Sequence, residues 1–213
     1  MTDTKQRLLD GAMLAVRQHG IAGASARVIA AAAGVNQALV FYHFGSVDDL
    51  LGAACEAATA ARVKVWSPQL AGVGTLRELL ALGRRLHAEE RQLGHVAVLA
   101  QLLAGAQSGG GALAAATGRA MTQWTDEIEV VLRRTLAGTP FAEVADLPGL
   151  ARAVSAAFIG LELYEGVDKA GADLALSALD QLAALVEVVD DLGPVARRAL
   201  RAKIAKTARR GAR

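Results

Sequence analysis

The stretch SARVIAAAAGVNQALVFYHFGS, residues 25–46, decides how the chain folds. Ser25 is a natural N-cap for a helix running to Ala33, with Val28, Ile29 and Ala32 turned inward, and Gly34 is a natural left-handed stop. Asn36 then caps a helix over Gln37 to Phe44, closed by Gly45. Ser46 opens a further helix, reaching about Trp66, with Asp48 and Asp49 in its favourable first turn. Only Gly34 and Val35 separate the first two helices, the spacing of a helix-turn-helix in which two helices cross steeply. The second helix of such a pair enters the DNA major groove, where its first turn meets base edges and its surroundings hold phosphates. Gln37 can pair with adenine, Ala38 and Leu39 can touch a thymine methyl, and Tyr42 and His43 can reach phosphate oxygens. Val40, Phe41 and Phe44 are expected to anchor the helix in the core.

Working outward, Asp3 with Gln6 three positions on reads as an N-cap, and Leu8, Leu9, Ala12, Met13 and Val16 form the apolar face of a helix ending at Gly20. Beyond the quoted stretch, Pro68 and Ala71 to Gly74 mark a break, followed by helices over Leu76–Glu89, Gln92–Gln107 and Ala112–Ala137. Pro140 and Pro148 bound a loop before Leu150–Gly166 and Ala172–Leu192. Hydrophobic residues make up 53% of the 213, aromatics 4%, and alanine supplies 47, a composition suited to helices packed closely through small side chains. No long window alternates as a strand would. The expected fold is all-α: an N-terminal three-helix helix-turn-helix domain (1–47), a larger helical ligand-binding and dimerisation domain (48–193), and a basic C-terminal helix or tail (194–213).

Two long segments without Lys, Arg, Asp or Glu, 28–47 and 92–118, test a membrane alternative. Gly34 to Gln37 and His43 break the first, and His95, Gln101, Gln107, Ser108 and Gly109 to Gly111 break the second, so buried helices joined by turns explain both better. The polar start Thr2 to Arg7 is unlike a secretory signal, and the single cysteine, Cys55, cannot form an internal disulfide; the expected compartment is the cytoplasm. Phosphate-loop, HExxH and Cys-x-x-Cys patterns are absent, so no catalytic residues and no enzyme are expected. His87, Glu90 and His95 could together supply metal ligands, but histidines on charged helices are usually solvated, and neither metal nor cofactor is expected.

Ser25 to Ala30, Ala33 to Asn36, Leu39 to Ser46 and Leu50-Leu51 resemble the DNA-binding domain of TetR-family regulators over about residues 5 to 51. The resemblance implies a homodimer that binds a two-fold operator, carries a variable ligand-binding domain, and represses until a small molecule releases it. Carried over by position, it places Ser25, Arg27 and Asn36 at the DNA interface, Gln37, Ala38 and Leu39 toward bases, and Tyr42 and His43 on phosphates. Val47 stands where the family commonly has a lysine, and Phe41 where it has a tyrosine; each removes a polar backbone contact.

The net charge of +2 conceals an uneven distribution. Residues 1–50 are neutral, 51–193 carry −6, and the tail after Pro194 carries +8 with no acid. Ala196, Ala199, Leu200 and Ile204 trace one helical face of that tail, which is expected either to dock on the body with its cations solvated or to add nonspecific attraction to DNA.

Leu150, Val154, Ala157, Phe158 and Leu161 form one apolar stripe, and Ala175, Ala178, Leu179, Leu182, Val186 and Val189 another. Val154, Phe158, Leu161, Leu179, Leu182 and Val186 are the expected dimer interface. Trp66, His95, Met121, Trp124 and Phe158 are candidates for lining a site for a small, mostly apolar effector. The alternative is a constitutive, architectural DNA-binding dimer without a ligand. Expected partners are therefore operator DNA, a second copy of the chain and a small-molecule effector, with no membrane.

Overall fold

The computed structural model describes residues 2–108, 111–139, 141–142, 145–190, 193, 195–196, 198–200 and 202–203. Among these there are helices and turns and no strand. The expected all-α class holds. No described helix is long and apolar enough to cross a membrane.

The helices are α1 (Thr2–Gly23), α2 (Ala26–Ala33), α3 (Ala38–Phe44), α4 (Val47–Ala71), α5 (Leu76–Leu93), α6 (His95–Ser108), α7 (Gly111–Thr135), α8 (Leu147–Glu165) and α9 (Lys169–Asp190). Several boundaries correct the expectation. Asp3 lies inside the first turn of α1 rather than capping it, and Gln6 donates to Asp10 Oδ1 at 2.9 Å. Gly20, with φ 70 and ψ 170, does interrupt the helix, but helical turns resume to Gly23. Pro68 sits within α4 and Pro148 in the first turn of α8, where Asp146 accepts from Gly149 N at 3.1 Å. Proline lacks an N–H, which costs nothing in the first turn of α8, where the backbone donor has no partner to lose, whereas Pro68 inside α4 forgoes a bond to the carbonyl four residues back.

The chain forms two compact units, residues 1–66 with 88–124, and 67–87 with 125–213. In the first, Leu8, Ala12, Ala15 and Val16 of α1 bury against Ala26, Ile29, Ala30 and Ala33 of α2, and Val98, Leu102, Leu113 and Ala120 join the same core. The buried face of α2 therefore follows the 3.6-residue period, and Ala32, expected inward, is exposed. Gly11 allows the two helices to touch, since a Cβ there would lie 2.9 Å from both Ala33 Cβ and Ile29 O. Gly52 does the same for α4, where a Cβ would meet Ala116 Cβ at 2.6 Å.

In the second unit, Arg134 reaches back from α7 to donate to Val73 O at 2.8 Å and Leu70 O at 2.6 Å, satisfying carbonyls at the end of α4. Ser67 donates to Glu127 Oε2 at 3.1 Å, and Arg84 pairs with Asp180. The tail residues described, 195–196, 198–200 and 202–203, are helical. Ile204 and most of the basic tail lie outside the described residues, and with them the question of docking or DNA contact.

Candidate nucleic-acid interface

Local chemistry builds the helix-turn-helix. Ser25, extended at φ −73 and ψ 161, caps α2 by accepting from Val28 N at 3.4 Å. Gly34 closes it in the left-handed region at φ 62 and ψ 40. Its N–H reaches Ala31 O at 3.1 Å while Val35 N reaches Ala30 O at 3.0 Å, the paired bonds of a Schellman stop. Arg7 of α1 donates to the Gly34 carbonyl at 2.7 Å and ties the turn to the rest of the core. Asn36 Oδ1 then accepts from Ala38 N at 2.8 Å, so the asparagine cap holds although α3 starts one residue later than expected. Gly45 ends α3 at φ 83, and Ser46 Oγ accepts from Asp49 N at 3.0 Å to start α4.

With both ends fixed, α3 divides into two faces. Val40 is fully buried, and Leu39 and Phe44 pack partly buried against the core, with Lys5 Nζ 5.4 Å from the Phe44 ring centre. Gln37, Ala38, Phe41 and Tyr42 are exposed, Phe41 by 50% and Tyr42 by 71%. Phe41 was expected in the core, but at 100° per residue it follows Gln37 by four positions and shares its face, while Val40 and Phe44 make the buried pair. Leu39, expected toward bases, leans inward. His43 is half-buried, its ring edge-on to Tyr42 with centres 4.9 Å apart. Arg27 is exposed on α2, and Val47, at the position of the family lysine, packs against the core.

The candidate effector residues divide between the two units. In the first, Trp66 Nε1 donates to Glu90 Oε1 at 2.9 Å, Arg62 Nε donates to the same oxygen at 2.6 Å, and His95 Nδ1 lies 2.8 Å from Glu90 Oε2. Burial pushes the Glu90 carboxyl up, yet these hydrogen bonds from Arg62, Trp66 and His95 outweigh it and hold the carboxyl below its ordinary range. Met121 and Trp124 are half-buried on α7. In the second unit, half-buried Phe158 stands edge-on to His87, ring centres 5.5 Å apart. His87 does not share ligands with Glu90 and His95 as the sequence spacing suggested. Its Nε2 lies 2.7 Å from Glu165 Oε2 and its Nδ1 3.7 Å from Glu162 Oε2, partners more than seventy residues away that no local pattern could reveal. Burial pushes the Cys55 thiol up to about 11, so it is a packing residue rather than a nucleophile.

Of the expected dimer residues, Val154, Leu179 and Leu182 are exposed by 37%, 42% and 58%. Phe158 and Leu161 are half-buried, and the side chain of Val186 lies outside what the structure describes.

Residues 8–54 match the family model described as bacterial regulatory proteins, tetR family. Solved structures share the fold. A protein from Rhodococcus sp. described as a TetR-family transcriptional regulator aligns at TM-score 0.69 and 23% identity, over 89% of this chain and 99% of that one. Escherichia coli NemR in its reduced form aligns at TM-score 0.68 and 18% identity, over 83% and 95%. The multidrug binding protein EbrR complexed with imidazole aligns at TM-score 0.57 and 28% identity, over 82% and 93%. No curated protein matches the sequence significantly.

Proposed function

Taking the chain as one that carries a TetR-family DNA-binding domain on a TetR-type regulator fold, we propose that it is a homodimeric repressor released from a two-fold operator by a small, mostly apolar ligand. The observation that carries the DNA half of this reading is the exposed face of α3. Gln37, Ala38, Phe41 and Tyr42 stand together on a helix whose other face is locked in the core and whose start is held by the Asn36 cap. Gln37 offers the bidentate donor and acceptor that reads adenine, and Ala38 and Phe41 offer apolar contact to a thymine methyl. Ser25, Asn36 and Tyr42 supply polar groups, and Arg27 a cation, for phosphates on either side.

Dimerisation is supported by α9. Ala175, Ala178, Leu179 and Leu182 of its apolar stripe are all exposed within the chain, as are Leu174, Leu185 and Val188, so the stripe is not spent on the chain's own core. A second copy would cover it, and a two-fold operator calls for two α3 helices about 34 Å apart, one turn of DNA. The ligand half draws on EbrR, a multidrug binding protein of the same fold. A ligand held better by one of two arrangements of the dimer shifts their population, and a differential of about 3 kcal/mol lowers operator affinity by roughly a hundredfold.

Selection of bound fragments from random genomic DNA tests the reading. Recovery of one defined two-fold site is expected; recovery of unrelated fragments would make the chain an architectural binder instead. A thermal-shift screen of small molecules, followed by operator competition with those that bind, tests release. Binders that leave operator affinity unchanged would overturn the ligand half alone.

A further inference from the structure

In the second unit, α5 and α8 bring together His87, Glu162 and Glu165, whose donor atoms lie within 4.8 Å of one another. The two glutamates are three positions apart and so share a helix face. All three side chains are 9% exposed or less. Their arrangement is asymmetric in a useful way. Nε2 of His87 makes a 2.7 Å hydrogen bond with Glu165, which as an N–H donor leaves the lone pair on Nδ1. That Nδ1 is buried, has no hydrogen-bond partner, and faces Glu162 Oε2 at 3.7 Å.

A protonated histidine bridging the two carboxylates would place an N–H on Nδ1, yet 3.7 Å is too long for a hydrogen bond. It is close to the roughly 3.4 Å that separates two ligands each about 2.1 Å from a tetrahedral ion. Without a cation, a nitrogen lone pair and a carboxylate oxygen face each other with little solvent. An ion seated between them turns that opposition into coordination. Phe158, edge-on at 89°, fixes the plane of the imidazole.

We propose that this cluster binds a divalent first-row transition-metal ion of the zinc class, seated between His87 Nδ1 and the Glu162 carboxylate. Glu165 holds the opposite ring N–H and so the tautomer, as carboxylates beside metal-bound histidines do. Water completes the shell. An imidazole with carboxylates suits zinc, cobalt or nickel better than magnesium or calcium, which prefer oxygen alone. The proposal stands on this geometry and does not depend on DNA binding.

The test uses the full chain, freed of metal with a chelator and titrated with Co2+, then with Zn2+ as competitor. Expected are a visible cobalt absorption band saturating at one ion per chain, its displacement by Zn2+, and a Zn2+-dependent rise in melting temperature. His87→Ala and the isosteric Glu162→Gln abolish the band, Glu165→Gln weakens Co2+ binding about 10- to 100-fold, and His19→Ala, at an exposed histidine elsewhere, leaves it intact. Far-UV circular dichroism establishes that each variant is folded, and Glu162→Gln carries the test if His87→Ala is not. Absence of Co2+ and Zn2+ binding in the wild type, or undiminished binding in folded Glu162→Gln, would overturn the proposal.

Discussion

Gly34→Ala places a Cβ where the helix-turn-helix has least room for one. The left-handed φ of 62 costs an alanine about 1–2 kcal/mol relative to glycine, of which a stiffer unfolded chain returns about 0.4–1 kcal/mol. The new Cβ would also stand 2.8 Å from Arg7 Nη2, the atom that donates to the Gly34 carbonyl. The arginine tip is flexible and can withdraw, so the clash is relieved by giving up that hydrogen bond, worth about 0.5–1 kcal/mol at an exposed site. Together these predict a loss of about 0.5–2.5 kcal/mol, centred near 1.5 kcal/mol, by urea unfolding at constant slope. A double-mutant cycle separates the two parts. Arg7→Ala alone should cost about 0.5–1 kcal/mol, but almost nothing in the Gly34→Ala background, where the bond is already broken. If Gly34→Ala unfolds at the wild-type urea midpoint, the strain argument fails; if the two losses simply add, the Arg7 tether is not what the alanine displaces.

Gly11→Ala should destabilise by about 1–3 kcal/mol in the same unfolding assay, because its Cβ meets the backbone oxygen of Ile29 at 2.9 Å and backbone cannot swing aside. Gly83→Ala in α5, where a Cβ meets nothing within 4 Å, should instead gain roughly 0.5–1 kcal/mol of helix propensity. Gln37→Ala should leave the melting temperature unchanged but cost about 1–3 kcal/mol of operator affinity and relax selection at one base pair of each half-site, read by gel shift against a substituted operator panel. Because the folded-state Glu90 carboxyl titrates below its ordinary 4.5, its stabilising contribution is present above that value and lost as pH falls through the lower folded value. Acid titration of stability should therefore be steeper in wild type than in Glu90→Gln, and parallel curves would refute that role. Truncation after Pro194 removes eight cations and should flatten the salt dependence of nonspecific DNA binding, whereas an unchanged slope would leave the tail no part in it.

What the sequence made legible was local. The Ser25, Asn36 and Ser46 caps and the Gly34 stop each act within a few residues, so their chemistry is visible in the one-dimensional string, and the resulting helix order follows. Faces were harder where apolar residues occupy both sides. Phe41, Tyr42 and Phe44 look alike as aromatics, but only the register of a seven-residue helix, set by its caps, decides that Phe41 faces out and Phe44 in. Pairs distant along the chain were not visible at all. Arg7 meets Gly34 across 27 residues, Arg62 meets Glu90 across 28, and His87 meets Glu165 across 78. Nothing in the spacing of His87, Glu90 and His95 distinguishes one shared cluster from the two separate ones that form.

The same long-range contacts sharpen the charge argument. Residues 1–50 contain four cations and four acids, so the reading head has no net attraction for DNA to begin with. The structure then commits two of those cations: Arg7 to the Gly34 carbonyl and Lys5 to the Phe44 ring. Both hold the helix-turn-helix together. Arg27 is exposed on α2 and adds a charge beside the recognition helix, while Val47, where a lysine would grip phosphate, is drawn into the core. On the proposed reading, sequence preference in this head comes from the shape and hydrogen bonds of Gln37, Ala38, Phe41 and Tyr42 rather than from charge, because each phosphate contact contributes affinity without discrimination. If that reading holds, such a head trades nonspecific affinity for a larger ratio between operator and random DNA, and the ratio should fall when Gln37 is replaced by alanine.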